Sequence, residues 1–199
     1  MSKPRLDRVL AEIDAANAAD PNRVAAGGGK RPAELVYGER MSEALKRLYP
    51  DASEYLQIAA RGQHIERWTS PRLSYPEGRV GYLKWRKELL DYHARRLGEI
   101  MREAGYADGD IERVGALVRK QKIKYDADAQ ALEDVICVVF LQHYFADFAA
   151  KHEDEKLVDI LRKTWAKMSP TGQEAALALG LSGRPGRLVE TALAGSPAD

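Results

Sequence analysis

The sequence predicts an all-α fold, arranged as a single domain of about eight or nine helices. Apolar residues recur along most of the chain at the i, i+3, i+4 spacing that buries one face of an amphipathic helix. The strict alternation of apolar and polar residues that marks a half-buried strand is absent. A length of 199 residues suits one domain with a full core, and no repeat of fixed period divides the chain.

The predicted helices follow one another with short connections over most of the chain. In order, they are expected from Leu6 to near residue 20, from about Pro32 to Leu48, from Asp51 through His64, over about 80–104, from Asp108 to the basic run at Arg119–Lys124, over about 128–150, over about 154–168, from Ser169, and over about 186–194.

The first three of these helices have recognisable beginnings or apolar faces. Leu6 and Val9 begin the apolar stripe of the first helix. Pro32 occupies the first turn of the second helix, where its missing N–H would have no partner in any case. Asp51 with Glu54 has the spacing of a capping pair and predicts the start of the third helix.

Two later helices are marked by composition and by a start signal. The sixth is apolar on nearly all sides over its first half, which predicts a central position in the fold. Ser169 followed by Pro170 predicts the beginning of the short eighth helix.

Three segments are predicted to lie outside the helices. Residues 20–31 include the run Gly27–Gly29 and are expected to form a flexible loop. Residues 67–79 combine prolines, arginines and aromatic residues, and loops of that composition often carry function. Residues 195–199 are expected to form a short disordered tail.

Composition restricts the class of protein. The chain has 31 Lys and Arg against 30 Asp and Glu, which excludes a strongly basic nucleic-acid-binding protein by composition alone. Its longest apolar run, Val135–Leu141, is far shorter than the ~20 residues of a membrane helix. The first residues lack the apolar stretch of a secretion signal, and Cys137, the only cysteine, can form no internal disulfide. The protein is therefore expected to be soluble and cytoplasmic, without a membrane partner.

Three side chains that can bind a metal lie where helices should present apolar residues. His64 follows Leu56 and Ala60 at helical spacing, His93 lies on the stripe of the fourth helix, and Asp134 lies within the apolar sixth helix. Because burying such a group alone costs several kcal/mol, the three are expected to share a divalent-metal site. The alternative is a pair of hydrogen-bonded core histidines and an aspartate that pairs with a buried arginine.

Cationic and aromatic residues lie close to these three in the sequence. Arginine matches the geometry of phosphate, and aromatic faces can stack on a base. The residues expected to contact a phosphorylated ligand are Arg61, Arg67, Trp68, Trp85, Arg86, Arg119 and Lys120. The basic run from Arg119 is equally typical of a solvated helix end. The catalytic candidates are Arg67 and Glu133, although Glu133 could also be the partner of a buried arginine or a bordering charge.

Four segments resemble the HD-type metal-dependent phosphohydrolases, which are helical proteins with His…His-Asp…Asp ligands. The segments are Tyr37-Gly-Glu-Arg-Met, Ala59-Ala-Arg-Gly-Gln-His-Ile, His93-Ala-Arg-Arg-Leu-Gly and Leu132-Glu-Asp. Tyr37 stands where that family has its first histidine, and Gln63-His64 stands where it has the His-Asp pair. The resemblance implies an HD-like fold with His64, His93 and Asp134 as ligands, and we count Tyr37 and Gln63 among the substrate-binding residues.

A more extensive resemblance covers nearly the whole chain. Ile13-Asp-Ala-Ala-Asn, Gln63-His-Ile-Glu-Arg-Trp, Gly81-Tyr-Leu-Lys-Trp-Arg, Leu132-Glu-Asp-Val and Lys163-Thr-Trp-Ala-Lys-Met-Ser are similar to the family called domain of unknown function 4202. This resemblance brings no established reaction.

The function expected from these residues is hydrolysis of a nucleotide or another phosphate ester, assisted by a divalent metal cofactor. One alternative is a non-catalytic module that binds a nucleotide or an RNA end, with nucleic acid as the less favoured partner. A further alternative is a structural or regulatory protein in which the buried polar groups form hydrogen bonds with one another.

Overall fold

The computed structural model describes residues 5–121 and 123–194, with the backbone alone at residue 124, and it confirms the predicted all-α fold. The tail expected at 195–199 lies outside the described residues. The helices are α1 (Arg5–Ala18), α2 (Ala33–Leu48), α3 (Glu54–Gly62), α4 (Gly78–Glu103), α5 (Asp108–Val118), α6 (Ala127–His143), α7 (Phe145–Ala149), α8 (Asp154–Trp165), α9 (Pro170–Leu177) and α10 (Gly183–Ala194), and the strands are β1 (Arg23–Ala26) and β2 (Gly29–Pro32). None of the described helices is both long and apolar enough to span a membrane.

The segment 20–31, predicted to be a loop, forms most of a hairpin over residues 23–32, in which β1 pairs antiparallel with β2. Arg23 lies opposite Pro32 in this ladder. The turn uses Gly27 and Gly28, whose φ angles of 59° and 80° lie in the left-handed region that glycine adopts without steric cost. Strands of four residues are too short to show a periodic pattern, which is why the sequence predicted only a loop.

The third helix begins and ends at different residues from those predicted. Ser53, rather than Asp51, caps α3, because its hydroxyl accepts the N–H of Leu56 at 3.1 Å. The helix ends at Gly62, so His64 lies in the turn that follows it and not on the helix itself.

In the two later helices α9 and α6, the first residues lie close to the predicted starts, but the last residue of α6 differs from the predicted end. Ser169 caps α9 as predicted, and its hydroxyl accepts the N–H of Gly172 at 3.3 Å. The sixth helix, predicted over 128–150, ends at His143, and the short α7 begins after Tyr144.

As its apolar sequence predicted, α6 is central. Val135 and Val139 on one side of it belong to an apolar cluster that includes residues of α1 to α5. Val138 and Leu141 on another side belong to a second cluster with residues of α7 to α10. Because α6 separates two apolar clusters, the fully buried Asp134 within it needs strong polar partners.

Candidate functional site

A pocket of about 500 Å³ lies between the start of α2, the turn after α3, α4 and α6. Aromatic side chains form much of its wall, and cationic side chains and two histidines also contribute. The polar and aromatic residues that line it are Glu34, Tyr37, Gln63, His64, Arg67, Tyr82, Trp85, Arg86, His93, Lys120, Phe140 and Tyr144. Most of the site residues predicted from the sequence are therefore brought together here.

His64 has one ring face covered by Tyr37 and one nitrogen close to a carboxylate. The two rings stack with centroids 4.0 Å apart and 12° between their planes. The Nδ1 atom of His64 lies 3.3 Å from Oε2 of Glu34. Burial lowers the pKa of His64, and Glu34 raises it by a smaller amount, so the imidazole is neutral at pH 7. An imidazole protonated at Nδ1, the nitrogen close to Glu34, keeps Nε2 free to accept a proton.

The turn that contains His64 is held by buried polar contacts. Asn17, a buried residue of α1, accepts the N–H of Glu66 at 2.9 Å and donates to the backbone carbonyl of Glu34 at 3.5 Å. Glu66 adopts a φ of 51°, and its carboxylate accepts the Tyr92 hydroxyl at 2.7 Å. Asn17 therefore connects the first turn of α2 to the turn that positions His64.

His93, on α4, lies deeper in the same wall and is only 1% exposed. Neither of its ring nitrogens makes a well-aligned hydrogen bond to the residues that the structure describes, although the Ile65 backbone lies near enough to raise the pKa of the ring by a small amount. Its ring centroid lies 6.2 Å from that of His64 and 5.9 Å from that of Tyr92. Burial, with a smaller contribution from His64, lowers the pKa of His93 to about 3. The ring is therefore neutral, and its one donor and one acceptor are buried at the edge of the pocket.

Tyr37 and Gln63, both predicted to bind substrate, are bonded to each other. The Tyr37 hydroxyl donates to Oε1 of Gln63 at 2.5 Å. Burial raises the pKa of Tyr37 well above its usual value, so this hydroxyl stays protonated. Gln63 is buried, and its NH₂ group makes no hydrogen bond within the described ranges. Since Gln63 lines the pocket, that group is available to a ligand.

Lys120 lies in an unusual backbone position at the end of α5. Its N–H bonds to the carbonyl of Leu117, the N–H of Gln121 bonds to that of Ala116, and its φ is 57°. This is a Schellman motif, in which the residue with positive φ is usually glycine. A lysine at that position raises the conformational free energy of the backbone by roughly 1–2 kcal/mol. Its Nζ donates to Glu133 at 2.8 Å, and both side chains are largely buried. Glu133, a predicted catalytic residue, therefore supports Lys120 from behind the pocket wall.

Two arginines add positive charge to the pocket. Nη1 of Arg67 lies 3.7 Å from Oε1 of Glu34, and its guanidinium lies 5.3 Å from the centre of the Trp85 ring. The indole N–H of Trp85 donates to the carbonyl of Ser70 at 2.8 Å, which fixes the orientation of the ring. Arg86 is exposed and forms no ion pair within the part of the chain that the structure describes.

Asp134 is not in the pocket wall, which corrects its predicted position beside the two histidines. Its oxygens accept the Tyr49 hydroxyl at 2.6 Å, both the N–H and the hydroxyl of Ser169 at 2.8 and 2.5 Å, and the amide of Gln130 at 3.1 Å. A Cβ at Gly172 would lie 2.5 Å from Oδ1 of Asp134, so only glycine fits there. The carboxylate therefore fixes the start of α9.

Three further residues predicted to contact substrate lie outside the pocket wall. Arg61 forms two hydrogen bonds of 2.6 Å with Asp14. Because His64 lies beyond the end of α3, helical spacing does not bring the side chains of Arg61 and His64 together. Arg119, which keeps helical backbone angles at the end of α5, donates to Asp91 at 2.8 Å in a separate surface cleft. Trp68 is half-buried in a 3₁₀ turn and does not line the pocket.

The structure therefore brings His64 and His93 together and leaves Asp134 apart from them. Among residues 5–121 and 123–194, no three His, Cys, Asp or Glu side chains are grouped to hold a metal ion. The residues present do not fit the three-ligand site expected from the sequence. Uptake of a divalent metal remains a prediction that metal analysis of the purified protein would check.

Sequence reasoning missed Glu34 and Asn17, the residues that position His64. Glu34 lies three residues before Tyr37 on α2, so helical spacing places both side chains on one face, and this signal could have identified it. No comparable signal marks Asn17, because its two partners come from distant parts of the chain.

A family model described as Domain of unknown function (DUF4202) matches the chain over residues 7–189. No curated protein and no solved structure matches the sequence. The family match confirms the more extensive of the two resemblances predicted from the sequence, and the distant likeness to HD-type phosphohydrolases remains a prediction.

Proposed function

The chain belongs to the DUF4202 family, and from the geometry of its pocket we propose that it hydrolyses small phosphate esters with His64 as the general base. The observation that carries this proposal is the 3.3 Å contact between Nδ1 of His64 and Glu34 beside the cationic groups of Arg67 and Lys120. A neutral histidine oriented by a carboxylate is a common arrangement for proton transfer.

In this proposal, the phosphate group binds against the guanidinium and ammonium groups of the pocket. Arg67 supplies a planar set of donors, and Lys120 supplies an ammonium that Glu133 holds in place. Arg86, at an exposed position, attracts the anion to the pocket. These cations oppose the negative charge that the phosphoryl oxygens carry in the transition state.

The hydrolytic step follows from the position of His64. Nε2 takes a proton from a water molecule as the water oxygen forms a bond to phosphorus. The ester P–O bond breaks, its electron pair goes to the leaving oxygen, and that oxygen takes a proton from water. The products are inorganic phosphate and an alcohol, and His64 returns its proton to solvent. Glu34 keeps the imidazole in the required tautomer throughout.

Phosphate release from a panel of small monoesters, including p-nitrophenyl phosphate, sugar phosphates and nucleoside monophosphates, tests the proposal. Activity should fall roughly 100- to 10,000-fold in His64→Gln, the usual worth of a general base. The matched control is His143→Gln, since His143, at the end of α6, does not line the pocket.

Tight binding of one of these esters without release of phosphate would contradict catalysis. That outcome would identify the chain as a non-catalytic binding module, the alternative class predicted from the sequence. Equal activity in His64→Gln and the wild type would show that another group acts as the base.

A further inference from the structure

The phosphate chemistry proposed above makes no use of His93, although the pocket wall includes it. This side chain is 1% exposed, and neither of its ring nitrogens makes a well-aligned hydrogen bond to the described residues. Burying unpaired polar atoms is unfavourable, and a core position of this kind is more stable with an apolar side chain. A ligand in the pocket that bonds to His93, after a small movement of the buried ring, would give these atoms hydrogen-bond partners.

A second unused polar group lies in the same wall. The Gln63 side chain is 4% exposed, its carbonyl oxygen accepts the Tyr37 hydroxyl, and its NH₂ group has no acceptor in the described part of the chain. His93 and Gln63 together therefore present one acceptor and several donors.

The surfaces around these polar groups suit a flat ligand. Tyr37 and His64 form a stack of two rings along one part of the wall, and Trp85 and Phe140 contribute aromatic surface elsewhere. Aromatic side chains favour planar ring systems, which stack on their faces and present polar atoms only at the ring edge.

The charge of the pocket limits how many phosphate groups the ligand carries. Three cations, Arg67, Arg86 and Lys120, are opposed by the carboxylates of Glu34 and Glu133. Both histidines are neutral, so one net positive charge remains. This charge offsets about half of the negative charge of one phosphate monoester, which is about −1.5 to −2 at pH 7, whereas a triphosphate would be left largely unneutralised in a partly apolar pocket.

We propose that the pocket binds a nucleoside monophosphate, with His93 and Gln63 recognising the polar edge of its base. The assignment of the phosphate end rests on the proposed function, whereas the recognition of the base rests on His93 and Gln63 alone. His93 is accordingly a specificity-determining residue and takes no part in the hydrolytic step.

Isothermal titration calorimetry with AMP, GMP, CMP, UMP, ribose 5-phosphate and inorganic phosphate tests this assignment. At least one of the four nucleotides should bind about tenfold or more tightly than ribose 5-phosphate, the worth of one to two hydrogen bonds. In His93→Phe, which keeps an aromatic ring but has no ring nitrogen, that advantage should largely disappear while the affinity for ribose 5-phosphate is unchanged. If His93→Phe does not fold, Gln63→Met should reduce the same advantage.

Equal affinity for ribose 5-phosphate and all four nucleotides, or the absence of nucleotide binding, would overturn the inference. Equal weakening of all ligands in His93→Phe would also overturn it, because it would show a structural role. A nucleotide that binds with the expected preference but releases no phosphate would instead refute the proposed hydrolysis and leave recognition of the base intact. Rapid hydrolysis of ribose 5-phosphate without any preference for nucleotides would refute recognition of the base and support the proposed hydrolysis.

Discussion

Nδ1 of His64 lies 3.3 Å from Oε2 of Glu34, although the two residues come from different parts of the chain. Glu34 is in the first turn of α2, and His64 lies in the turn after α3. Their spacing is fixed through Asn17, which bonds to the Glu34 carbonyl and to the N–H of Glu66. Two turns held by one buried amide thus place a carboxylate beside a neutral imidazole.

Glu34→Gln should move the acid limb of the rate profile to lower pH. The Glu34 carboxylate raises the pKa of His64, so its removal lowers that pKa further, and the imidazole remains unprotonated in more acidic solution. The maximum rate should fall roughly tenfold or more, because a weaker base that is also less well oriented transfers protons less effectively. The measurement is kcat/KM over about pH 4 to 8.

The control for this change is Glu39→Gln, on the same helix, since Glu39 pairs with Arg31 and does not line the pocket. An acid limb that stays in place in Glu34→Gln would show that Glu34 does not act on the group that titrates.

Arg67→Ala should weaken the binding of inorganic phosphate by roughly 1.5–3 kcal/mol, the worth of a charge-assisted hydrogen bond, and should change the melting temperature little. Its side chain is 39% exposed, so few stabilising contacts are lost. Arg61→Ala is the matched variant, because Arg61 bonds to Asp14 and lies outside the pocket. It should lose stability and keep phosphate affinity. Calorimetry with both variants would show the opposite pattern if Arg61 were the ligand contact.

Asp134→Asn should lower the free energy of unfolding by roughly 2–4 kcal/mol, because an NH₂ group, which donates hydrogen bonds, replaces one of the two carboxylate oxygens that accept them. In the wild type, burial and the hydrogen bond to Asp134 raise the pKa of Tyr49 to about 12, so the hydroxyl stays protonated and donates to the carboxylate. Tyr49→Phe removes only one bond and should cost less. Denaturant titration measures both effects. Wild-type stability in Asp134→Asn, together with loss of bound metal and activity, would restore the metal-ligand role predicted from the sequence.

Lys120→Met should destabilise the fold by about 3–5 kcal/mol, because it leaves the Glu133 carboxylate buried without its partner. The double variant Lys120→Met with Glu133→Met removes both charges and should recover most of that loss. Phosphate binding should remain weak in both variants, since the ammonium is absent from each. A double variant as unstable as the single one would show that Glu133 is not what makes Lys120 necessary for stability.

His93 should make the protein less stable in acid. Its folded-state pKa of about 3 lies below the ordinary value of 6.5, so the unfolded chain binds the proton more readily between these two values. The stability contribution is present above about pH 6.5 and is lost as the pH falls toward 3. Between wild type and His93→Phe, the slopes of unfolding free energy against pH should differ by up to about 1.4 kcal/mol per pH unit. Parallel curves for the two proteins would contradict the neutral, buried state of His93.

Local sequence patterns predicted much of the fold. The helical stripes located most of the helices, the apolar sixth segment identified the central helix, and Ser169 marked the start of α9. They also identified His93 and Asp134 as buried polar residues, which the structure confirms. These predictions succeed because helical periodicity is a property of neighbouring residues, and it shows which side of a helix is removed from water.

Local sequence patterns could not predict the hydrogen-bond partners of these buried groups. Asp134 is bonded to Tyr49 and Ser169, whereas the sequence suggested the two histidines. The approach of Glu34 to His64 depended on the ending of α3 at Gly62. Periodicity alone shows that a residue is buried, but which buried groups meet depends on helix ends, on the packing of distant helices and on single long-range hydrogen bonds. The sequence by itself therefore determined the helices and the burial of their polar residues, and only the tertiary structure decided which of those residues share the pocket.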